Sequence, residues 1–454
     1  MNSSSPSAPA SSNYRWVICG LLFFATTINY MDRQVISYLK DPIFCAPVGE
    51  GGFGWSNSAF ANLTSAFTAF YAGMTLFAGW VIDKIGTKLG LALSLVIWSI
   101  FGIVNAFVGG AVRMHMLVRS AFAVGEAGNF PASIKTVAEW FPKRERALAT
   151  AIFNAGSNAG AMVAALLVPW IMIQFGDQQG WKMAFIITGA IGFPWLIFWF
   201  WLYHSPGSHP RLSKAEYDYI HIDDEKAAAA EENGDKAKKV SWWKLFEYRQ
   251  LWAFFVGKFM TDGIWWFYLF WLPDYLIKQF HMTKQQVMMP TFIVYGVAIV
   301  GSVYGGSIPM TLIKRGMAVY QARMTTMFII AVLPLFVLLT QYFGNVNRFG
   351  NLAAILAVAM ICIGATAHQA WSANLFTTVS DMFPKKTVAS VVGIGTTAGG
   401  IGGVIVQKIA GALTDHFTTE TAYLVMFVIC ALSYLIAWVI MKALVPQHNP
   451  ITDL

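Results

Sequence analysis

Long apolar stretches, separated by short clusters of charged residues, glycine or proline, run through almost the whole chain. A helix needs roughly 20 apolar residues to cross a bilayer, and twelve stretches reach that length. The first six are predicted near 16–38, 57–82, 89–110, 114–138, 147–174 and 181–203. The second six are predicted near 250–277, 287–312, 320–342, 352–380, 387–413 and 421–445. The pattern predicts an all-α integral membrane protein, with its spans numbered 1 to 12 in chain order.

A polar segment separates the two sets of spans and carries eight basic and nine acidic residues. The first residues of the chain are small and uncharged, and the last are mostly polar, so both ends are predicted to be tails. The predicted organisation is a disordered tail (1–13), a six-helix half (14–203), a linker (204–249), a second six-helix half (250–445) and a short tail (446–454).

Two short motifs recur on both sides of the linker. The sequence EWFPK at 139–143 matches DMFPK at 381–385, and GSNAG at 156–160 matches GTTAG at 395–399. Two pseudo-symmetric halves in the same orientation follow, with a binding site expected between them near the midplane of the membrane. The glycines are expected to let spans 5 and 11 approach other helices closely across the interface of the halves.

Composition and charge support a membrane protein. Only 12% of the residues are charged and 56% are hydrophobic, whereas a soluble domain has about a quarter charged residues. Twenty of the 31 Lys and Arg residues fall on the side of the spans that holds both termini, and six fall on the other side. The positive-inside bias then places both termini in the cytoplasm. The net charge of +8 reflects this topology, and no nucleic-acid partner is expected.

Charged residues inside spans are the main functional signal, because a charge in hydrocarbon costs at least about 2.5–3.5 kcal/mol and commonly marks a transport path. The basic ones are Arg33, Arg119, Lys135, Lys258 and Lys408. The acids well inside spans are Asp32, Glu126 and Asp262. Lys135 and Lys408 lie near span ends, where long side chains can reach the polar interface. The others form either ion pairs that only hold helices together or parts of a transport path.

The spacing of these residues suggests partners. Arg119 and Glu126 are seven residues apart, hence on one helix face and about 10 Å apart along the axis, with room between them for a small ligand, a water or Asp32. Lys258 and Asp262 are four residues apart and can touch directly.

The chemistry of the same residues indicates an anionic substrate and protons. Arg33 presents a planar donor that binds a carboxylate through two hydrogen bonds, and Lys258 offers a point charge from the second half. A carboxyl group buried away from water readily holds a proton, because desolvation disfavours its charged form. Asp32 and Glu126 are therefore candidate proton carriers.

Other polar and aromatic residues inside spans form a lining suited to hydroxyl groups. They are Tyr30, Tyr71, Asn154, Ser157, Asn158, His368, Gln369, Trp371, Asn374, Thr396 and Thr397. Counted back from the shared Phe-Pro-Lys, His368 occupies in span 10 the position that Glu126 holds in span 4. Both a packing role and a site role remain open for this histidine.

The loop between spans 2 and 3 carries the sequence GWVIDKIGTK at 79–88 and resembles the signature loop of the major facilitator superfamily. An acid at a helix end, followed by basic residues in a short loop, forms an inner gate that opens when the halves move. The predicted gate residues are Asp83, Lys84, Lys88 and, in span 7, Asp262. The matching loop after span 8 keeps Lys314 and Arg315 but lacks the acid, so a second latch is expected to be weaker or absent.

A closer resemblance covers essentially the whole chain. NYMDR at 29–33, the segment 119–131 and the segment 139–146 resemble the anion:cation symporter family. Within it, FIITGA at 185–190, AHQA at 367–370 and the pair of Lys258 with Asp262 are most similar to bacterial hexuronate transporters. By resemblance, Tyr30, Arg33 and Tyr71 match substrate-contacting positions, while Asp32 and Glu126 match proton-coupling acids that Arg119 tunes.

Together, the residues and the resemblance imply a proton-coupled importer of a sugar-acid anion, first of all a hexuronate such as glucuronate or galacturonate, working by alternating access. An aldonate, an aldarate or an aromatic carboxylate is the alternative substrate. The predicted substrate-binding residues are Tyr30, Arg33, Tyr71, Ser157, Asn158, Lys258, His368, Gln369 and Thr396. The predicted proton-coupling residues are Asp32, Arg119 and Glu126.

Two departures from the family leave the sugar acid open. Galactonate-type members typically have Gln and Asn at the positions of Lys258 and Thr396, and enteric hexuronate members lack an acid at the position of Asp32. A membrane enzyme is disfavoured because no metal motif such as H-E-x-x-H occurs, and a sensor is disfavoured because the linker is too short for a signalling domain. The expected protein is a monomer in the bacterial inner membrane, without a metal or cofactor.

Overall fold

The computed structural model describes residues 13–222, 242–447 and 450–451, and the described residues form helices joined by short loops. Spans 1 to 3 are the helices Tyr14–Leu39, Asn57–Ile85 and Thr87–Val104. Span 4 consists of Val112–Glu126 and Asn129–Trp140, and spans 5 and 6 share Lys143–Leu202. Span 7 is Arg249–Phe280 and span 8 is Met288–Lys314. Span 9 begins as Val319–Val332 and continues through Leu333–Leu339 and Thr340–Phe343. Spans 10 to 12 are Leu352–Met382, Lys385–His416 and Thr419–Leu444.

The twelve predicted spans are confirmed, with bounds close to those expected from the apolar pattern. Two short helices, Lys214–Ile220 and Trp242–Leu245, lie between the halves. Nearly all of the predicted first tail, the middle of the predicted linker and part of the predicted last tail lie outside the described residues.

The charged residues inside the membrane are concentrated in three spans. By length and composition, eight described helices are apolar enough to cross a membrane, and one of these contains both spans 5 and 6. Spans 1, 4 and 7 are not among the eight. They carry the acidic and basic residues that the sequence singles out as functional: Asp32, Arg33, Arg119, Glu126, Lys258 and Asp262.

Span 4 differs from the single helix predicted over 114–138. Its first helix ends at Glu126, and the second begins at Asn129. Pro131 has no backbone N–H, so it cannot bond the carbonyl of the residue four positions earlier, which lies in this break. The interruption leaves the Glu126 side chain at the end of a helix, deep inside the protein, where it is 0% exposed.

The chain reverses between spans 5 and 6 at a single glycine. Gly176 has φ 66°, ψ 168° inside the segment that otherwise remains helical. A residue with a side chain rarely adopts this backbone conformation, whereas glycine does so without steric cost. The turn therefore needs almost no loop between the two spans.

Within the first half, span 1 packs against span 5, and within the second half, span 7 packs against span 11. Two contacts cross the interface between the halves: span 2 packs on span 11, and span 5 packs on span 8. The glycines of spans 5 and 11 were expected to allow close packing across the interface of the halves, and this is only partly correct. Gly156 and Gly160 face backbone atoms of span 1, so they serve packing inside the first half. Gly400 meets Ala72 of span 2, and this contact does cross the interface.

We call the end of the bundle that holds both chain termini the terminal end, and the opposite end the far end. The hydrogen bonds and ion pairs between the halves, among the described side chains, lie near the middle of the bundle or at the far end. Examples are Asn57 and Ser58, whose backbone N–H groups donate to Asp415 at 2.8 Å, and Thr64, whose hydroxyl bonds Gln407 at 3.1 Å. The far end is therefore closed in this structure.

Candidate functional site

Arg33 lies at the centre of the interface between the halves and is 1% exposed. Its Nε donates to Glu126 Oε2 at 2.9 Å, which joins spans 1 and 4. Its guanidinium carbon lies 4.2 Å from the ring centroid of Tyr30, 4.5 Å from that of Tyr71 and 5.2 Å from that of Trp266. Aromatic faces attract cations. Arg33 thus sits in an aromatic box built by spans 1, 2 and 7, with a carboxylate as its ionic partner.

Arg119 and Asp32 lie beside this box. Arg119 Nη2 donates to the backbone carbonyl of Arg33 at 3.1 Å. Among the described residues, Arg119 Nε and Nη1, both carboxylate oxygens of Asp32 and Glu126 Oε1 are buried without a hydrogen-bond partner. Glu126 pairs with Arg33 of span 1, and the described contacts show no ion pair between Glu126 and Arg119. Buried polar atoms without partners are costly, and they concentrate at functional sites.

Lys258 and Asp262 form the predicted contact on span 7, with Lys258 Nζ 2.6 Å from Asp262 Oδ2. The lysine side chain is 7% exposed and the aspartate side chain 18% exposed. Lys258 Nζ also lies 4.6 Å from the ring centroid of Phe376 in span 10. The second half thus offers an ion pair, as the spacing of the two residues predicted.

His368 is a packed residue with one polar contact. Its Nδ1 lies 2.8 Å from the hydroxyl of Tyr434, and its ring stacks on Trp265 at a centroid distance of 5.0 Å. Its neighbour Gln369 bonds across the interface, because Gln369 Nε2 donates to Asn158 Oδ1 at 3.5 Å. Two predicted site residues, Gln369 and Asn158, are therefore brought together from different halves.

Two other predicted lining residues bond their own helices. The Ser157 hydroxyl donates to the carbonyl of Asn154 at 2.7 Å, and the Thr396 hydroxyl donates to the carbonyl of Val392 at 2.9 Å. A hydroxyl that donates within its helix can still accept a hydrogen bond. In the described part of the chain, neither hydroxyl has a hydrogen bond to Arg33 or to the aromatic residues around it.

The predicted gate residues at the terminal end bond within the first half. Asp83 pairs with Lys135 at 2.8 Å, so Lys135 is more than an interfacial side chain. Lys84 Nζ lies 3.9 Å from the ring centroid of Trp80, and Lys88 donates to the carbonyl of Phe200. Hence these side chains do not form a latch between the halves in this structure.

The second half has an ion pair at the terminal end that was not predicted from the sequence. Arg323 at the start of span 9 pairs with Asp381 at the end of span 10 at 2.9 Å. The acid of a second latch was expected in the loop after span 8, which lacks one. The acid instead lies in the repeated DMFPK motif.

A larger network of buried polar residues, also not predicted from the sequence, lies at the far end. Lys40 Nζ is 2.5 Å from Asp274 Oδ1, and both side chains are 0% exposed. Asp274 also accepts from the Tyr423 hydroxyl at 2.5 Å and pairs with Lys278 at 3.1 Å, while Lys40 donates to Asn57 at 2.7 Å. This far-end network joins spans 1 and 2 to spans 7 and 12. Asp274 lies inside the apolar run of span 7, and that position was the available signal.

Comparison with known proteins identifies the family. A model of the Major Facilitator Superfamily matches residues 22–407. The chain belongs to the Major Facilitator Superfamily. It is a multi-pass membrane transporter and not an enzyme, which confirms the family resemblance and the twelve-span fold that it implied.

Individual members of the superfamily agree with this assignment. The chain is 29% identical to the hexuronate transporter of Escherichia coli strain K12, over 94% of each chain. It is 31% identical to the galacturonate transporter of Dickeya chrysanthemi, covering 66% of this chain and 83% of the relative. The solved D-xylose–proton symporter has a TM-score of 0.71 at 15% identity, with 97% and 99% of the chains covered. This last similarity shows the fold alone.

Proposed function

We propose that this transporter is a proton-coupled symporter that imports a sugar-acid monoanion, first of all a hexuronate such as glucuronate or galacturonate. The observation that carries the proposal is the Arg33 box, in which a buried guanidinium is held by the carboxylate of Glu126. A substrate carboxylate has the same chemistry as Glu126. It can therefore replace Glu126 on Arg33 once Glu126 becomes neutral.

The coupling follows from this competition. Protonation of Asp32 and Glu126 from the outside frees Arg33 to bind the substrate carboxylate. Tyr71, Lys258, His368 and Gln369 then contact the rest of the substrate, with Ser157, Asn158 and Thr396 around it. After the protein opens to the cytoplasm, both acids lose their protons, and Glu126 takes Arg33 back. The observed ion pair, together with the closed far end, is the arrangement that we expect after release.

The topology proposed for this cycle places both termini in the cytoplasm of a bacterial inner membrane, so the closed far end is the outer end of the transporter. The two transport units are residues 14–203 and 250–445, joined by a cytoplasmic linker, in a monomer. In the opposite state, Asp83, Lys84 and Lys88 would close the cytoplasmic end, and Asp262 would adjust as span 7 moves.

The charge balance predicts that transport depends on voltage. One proton with one monoanion moves no net charge, whereas two protons move one, which is worth about 2.3 kcal/mol per 100 mV of membrane potential. Since Asp32 and Glu126 are both buried, we propose two protons per substrate. No cofactor is required, because the proton gradient supplies the energy.

Neutralising both acids tests the coupling. Asp32→Asn combined with Glu126→Gln is expected to abolish proton-driven accumulation of galacturonate but to retain exchange of internal for external substrate, because Arg33 stays available. The exposed Glu50→Gln is the matched control and should accumulate substrate normally. Proton-driven accumulation by the double variant at the rate of the parent protein would refute the roles of both acids.

Uptake by cells that express the protein tests the substrate. Labelled galacturonate and glucuronate should accumulate, and a protonophore should abolish the accumulation. A panel of unlabelled aldonates, aldarates and aromatic carboxylates should compete less well than the hexuronates. Accumulation of one of these acids, without hexuronate uptake, would replace the proposed substrate by the alternative.

A further inference from the structure

We propose that Asp262 sets the charge of the substrate, by admitting a sugar acid with one carboxylate and excluding the dicarboxylate of the same sugar. The inference rests on the proposed function and deepens it. It concerns the pair of Lys258 with Asp262, which we call the span 7 pair.

The span 7 pair lies on the same helix face as the Arg33 box. Lys258, Asp262 and Trp266 are spaced by four residues, so each step moves about 6 Å along one face of the helix. Trp266 is the residue of span 7 that contacts Arg33. Asp262 therefore lies about one turn, and Lys258 about two turns, from the level of the guanidinium. A hexuronate whose carboxylate binds Arg33 would extend its far hydroxyls toward Asp262 and Lys258.

Asp262 packs closely against span 11 on one side. A Cβ atom at Gly399 of span 11 would collide with Asp262 Oδ2, so the glycine provides the space that the carboxylate occupies. Asp262 is nevertheless the more open member of the pair, at 18% side-chain exposure against 7% for Lys258. It can therefore keep its contact with Lys258 and still accept a hydrogen bond from a ligand.

Arg33 and Lys258 differ in whether their positive charge is free to bind a ligand. Arg33 is released when Glu126 takes a proton, so the first half gains a free cation when substrate binds. Lys258 is already neutralised by Asp262 within the same helix. The pair presents both donors and acceptors, which suits hydroxyl groups. A second carboxylate at this position would lie beside the negative charge of Asp262, and such like-charge contacts exclude wrong ligands.

The competing explanation is that the span 7 pair only stabilises its helix, as exposed pairs four residues apart often do. The two explanations make different predictions for Asp262→Asn. If the pair is structural, the variant loses stability and handles all acids alike. If Asp262 selects the substrate charge, the variant leaves the Lys258 ammonium without its counter-charge, and a second carboxylate can then supply it.

The experiment uses the purified full-length transporter in proteoliposomes and measures the inhibition of labelled galacturonate exchange by galactarate, in which C1 is a second carboxylate. The parent protein should be inhibited by galacturonate but not by galactarate at the same concentration. In Asp262→Asn, the inhibition constant for galactarate should fall by at least about tenfold, as expected for removal of a like-charge contact. The double variant Lys258→Gln with Asp262→Asn also lacks the unpaired ammonium, so galactarate should bind it more weakly than it binds Asp262→Asn.

The outcomes separate this inference from the proposed function. Parent protein that transports no hexuronate would overturn the proposed function, and the inference with it. Parent protein that transports galacturonate but is inhibited equally by galactarate would overturn the inference alone, as would an Asp262→Asn variant that gains no galactarate binding. If Asp262→Asn does not yield a monodisperse protein, Asp262→Ser replaces it. Equal inhibition of the parent protein by galacturonate and galactarate overturns the inference whichever variant is used.

Discussion

Arg33→Lys is expected to reduce hexuronate transport by about 100-fold or more, while the protein still folds. Lysine keeps a positive charge next to Glu126, so no buried carboxylate is left without a partner. It lacks the planar fork that holds a carboxylate through two hydrogen bonds and stacks on aromatic rings. Hydrogen bonds to charged groups contribute about 1.5–3 kcal/mol each, and losing one well-formed bond of this kind accounts for the expected factor.

The measurement is the initial rate of labelled galacturonate uptake at several concentrations, normalised to the amount of transporter in the membrane. Arg113→Lys is the matched control, because Arg113 is an exposed arginine, and it should transport at the normal rate. A tenfold change corresponds to about 1.4 kcal/mol, so a twofold change is too small for a lost contact with the substrate carboxylate. If the KM and the maximal rate of Arg33→Lys both stay within about twofold of the parent, Arg33 does not bind the substrate carboxylate.

The second large effect is expected at the far-end network. Lys40→Gln leaves Asp274 with Lys278 and Tyr423 but removes its fully buried cation. Removing one member of a buried ion pair costs about 3–5 kcal/mol. This loss of stability affects only the state with a closed far end, because Asp274 becomes accessible to water when the far end opens. A ligand or mutation that affects only one state shifts the equilibrium by its full differential energy. Lys40→Gln should therefore favour the state that is open at the far end.

Spin labels at Val48 and Phe417, which are 73% and 55% exposed, report on this opening. Pulsed electron–electron double resonance should show a longer distance between the two spin labels in Lys40→Gln than in the parent. Lys284→Gln is the matched control: Lys284 also joins the halves at the far end, but its pair with Asp177 is partly exposed, and such pairs contribute about 0–1 kcal/mol. Equal shifts in both variants would show that the burial of Lys40 has no special role.

The double variant Lys40→Gln with Asp274→Asn refines this test. It removes both charges, so no uncompensated charge remains when the far end is closed. Its distance distribution should lie closer to the parent than that of Lys40→Gln. A double variant that is as open as the single variant would attribute the effect to packing and not to charge.

Most helices were predictable because a helix that crosses a bilayer needs about 20 predominantly apolar residues. The same rule explains the error in span 4. Its break at Ala127 and Gly128 is invisible to an apolar pattern, although Pro131 gave the necessary signal. The break is also what places Glu126 next to Arg33.

Four residues of the Arg33 box were predictable as well, since Arg33 and Glu126 are charges inside the membrane, and Tyr30 and Tyr71 match family positions. Trp266 was not predicted, because one tryptophan among many in the spans gives no signal of its own. The ionic partner of Glu126 was not predicted either. Spacing along one helix predicted the contact of Lys258 with Asp262, whereas Glu126 found its partner on another helix.

The far-end network was missed for a further reason. Lys40 was assigned to a loop because it lies just beyond an apolar run, and its burial depends on how the two halves meet. Contacts between halves belong to one conformational state and leave no periodic pattern in the sequence. Gly156 and Gly160 illustrate the same difficulty, because a glycine motif indicates close packing without naming the helix that packs there.

In the proposed transport cycle, a sugar-acid monoanion enters together with protons. The most direct test adds galacturonate outside proteoliposomes that contain the purified protein, a pH-sensitive dye inside and no initial gradient. Labelled galacturonate should enter while the lumen becomes more acidic, and an inside-negative potential should speed both processes. Entry of galacturonate at the same rate without any acidification of the lumen would contradict the account.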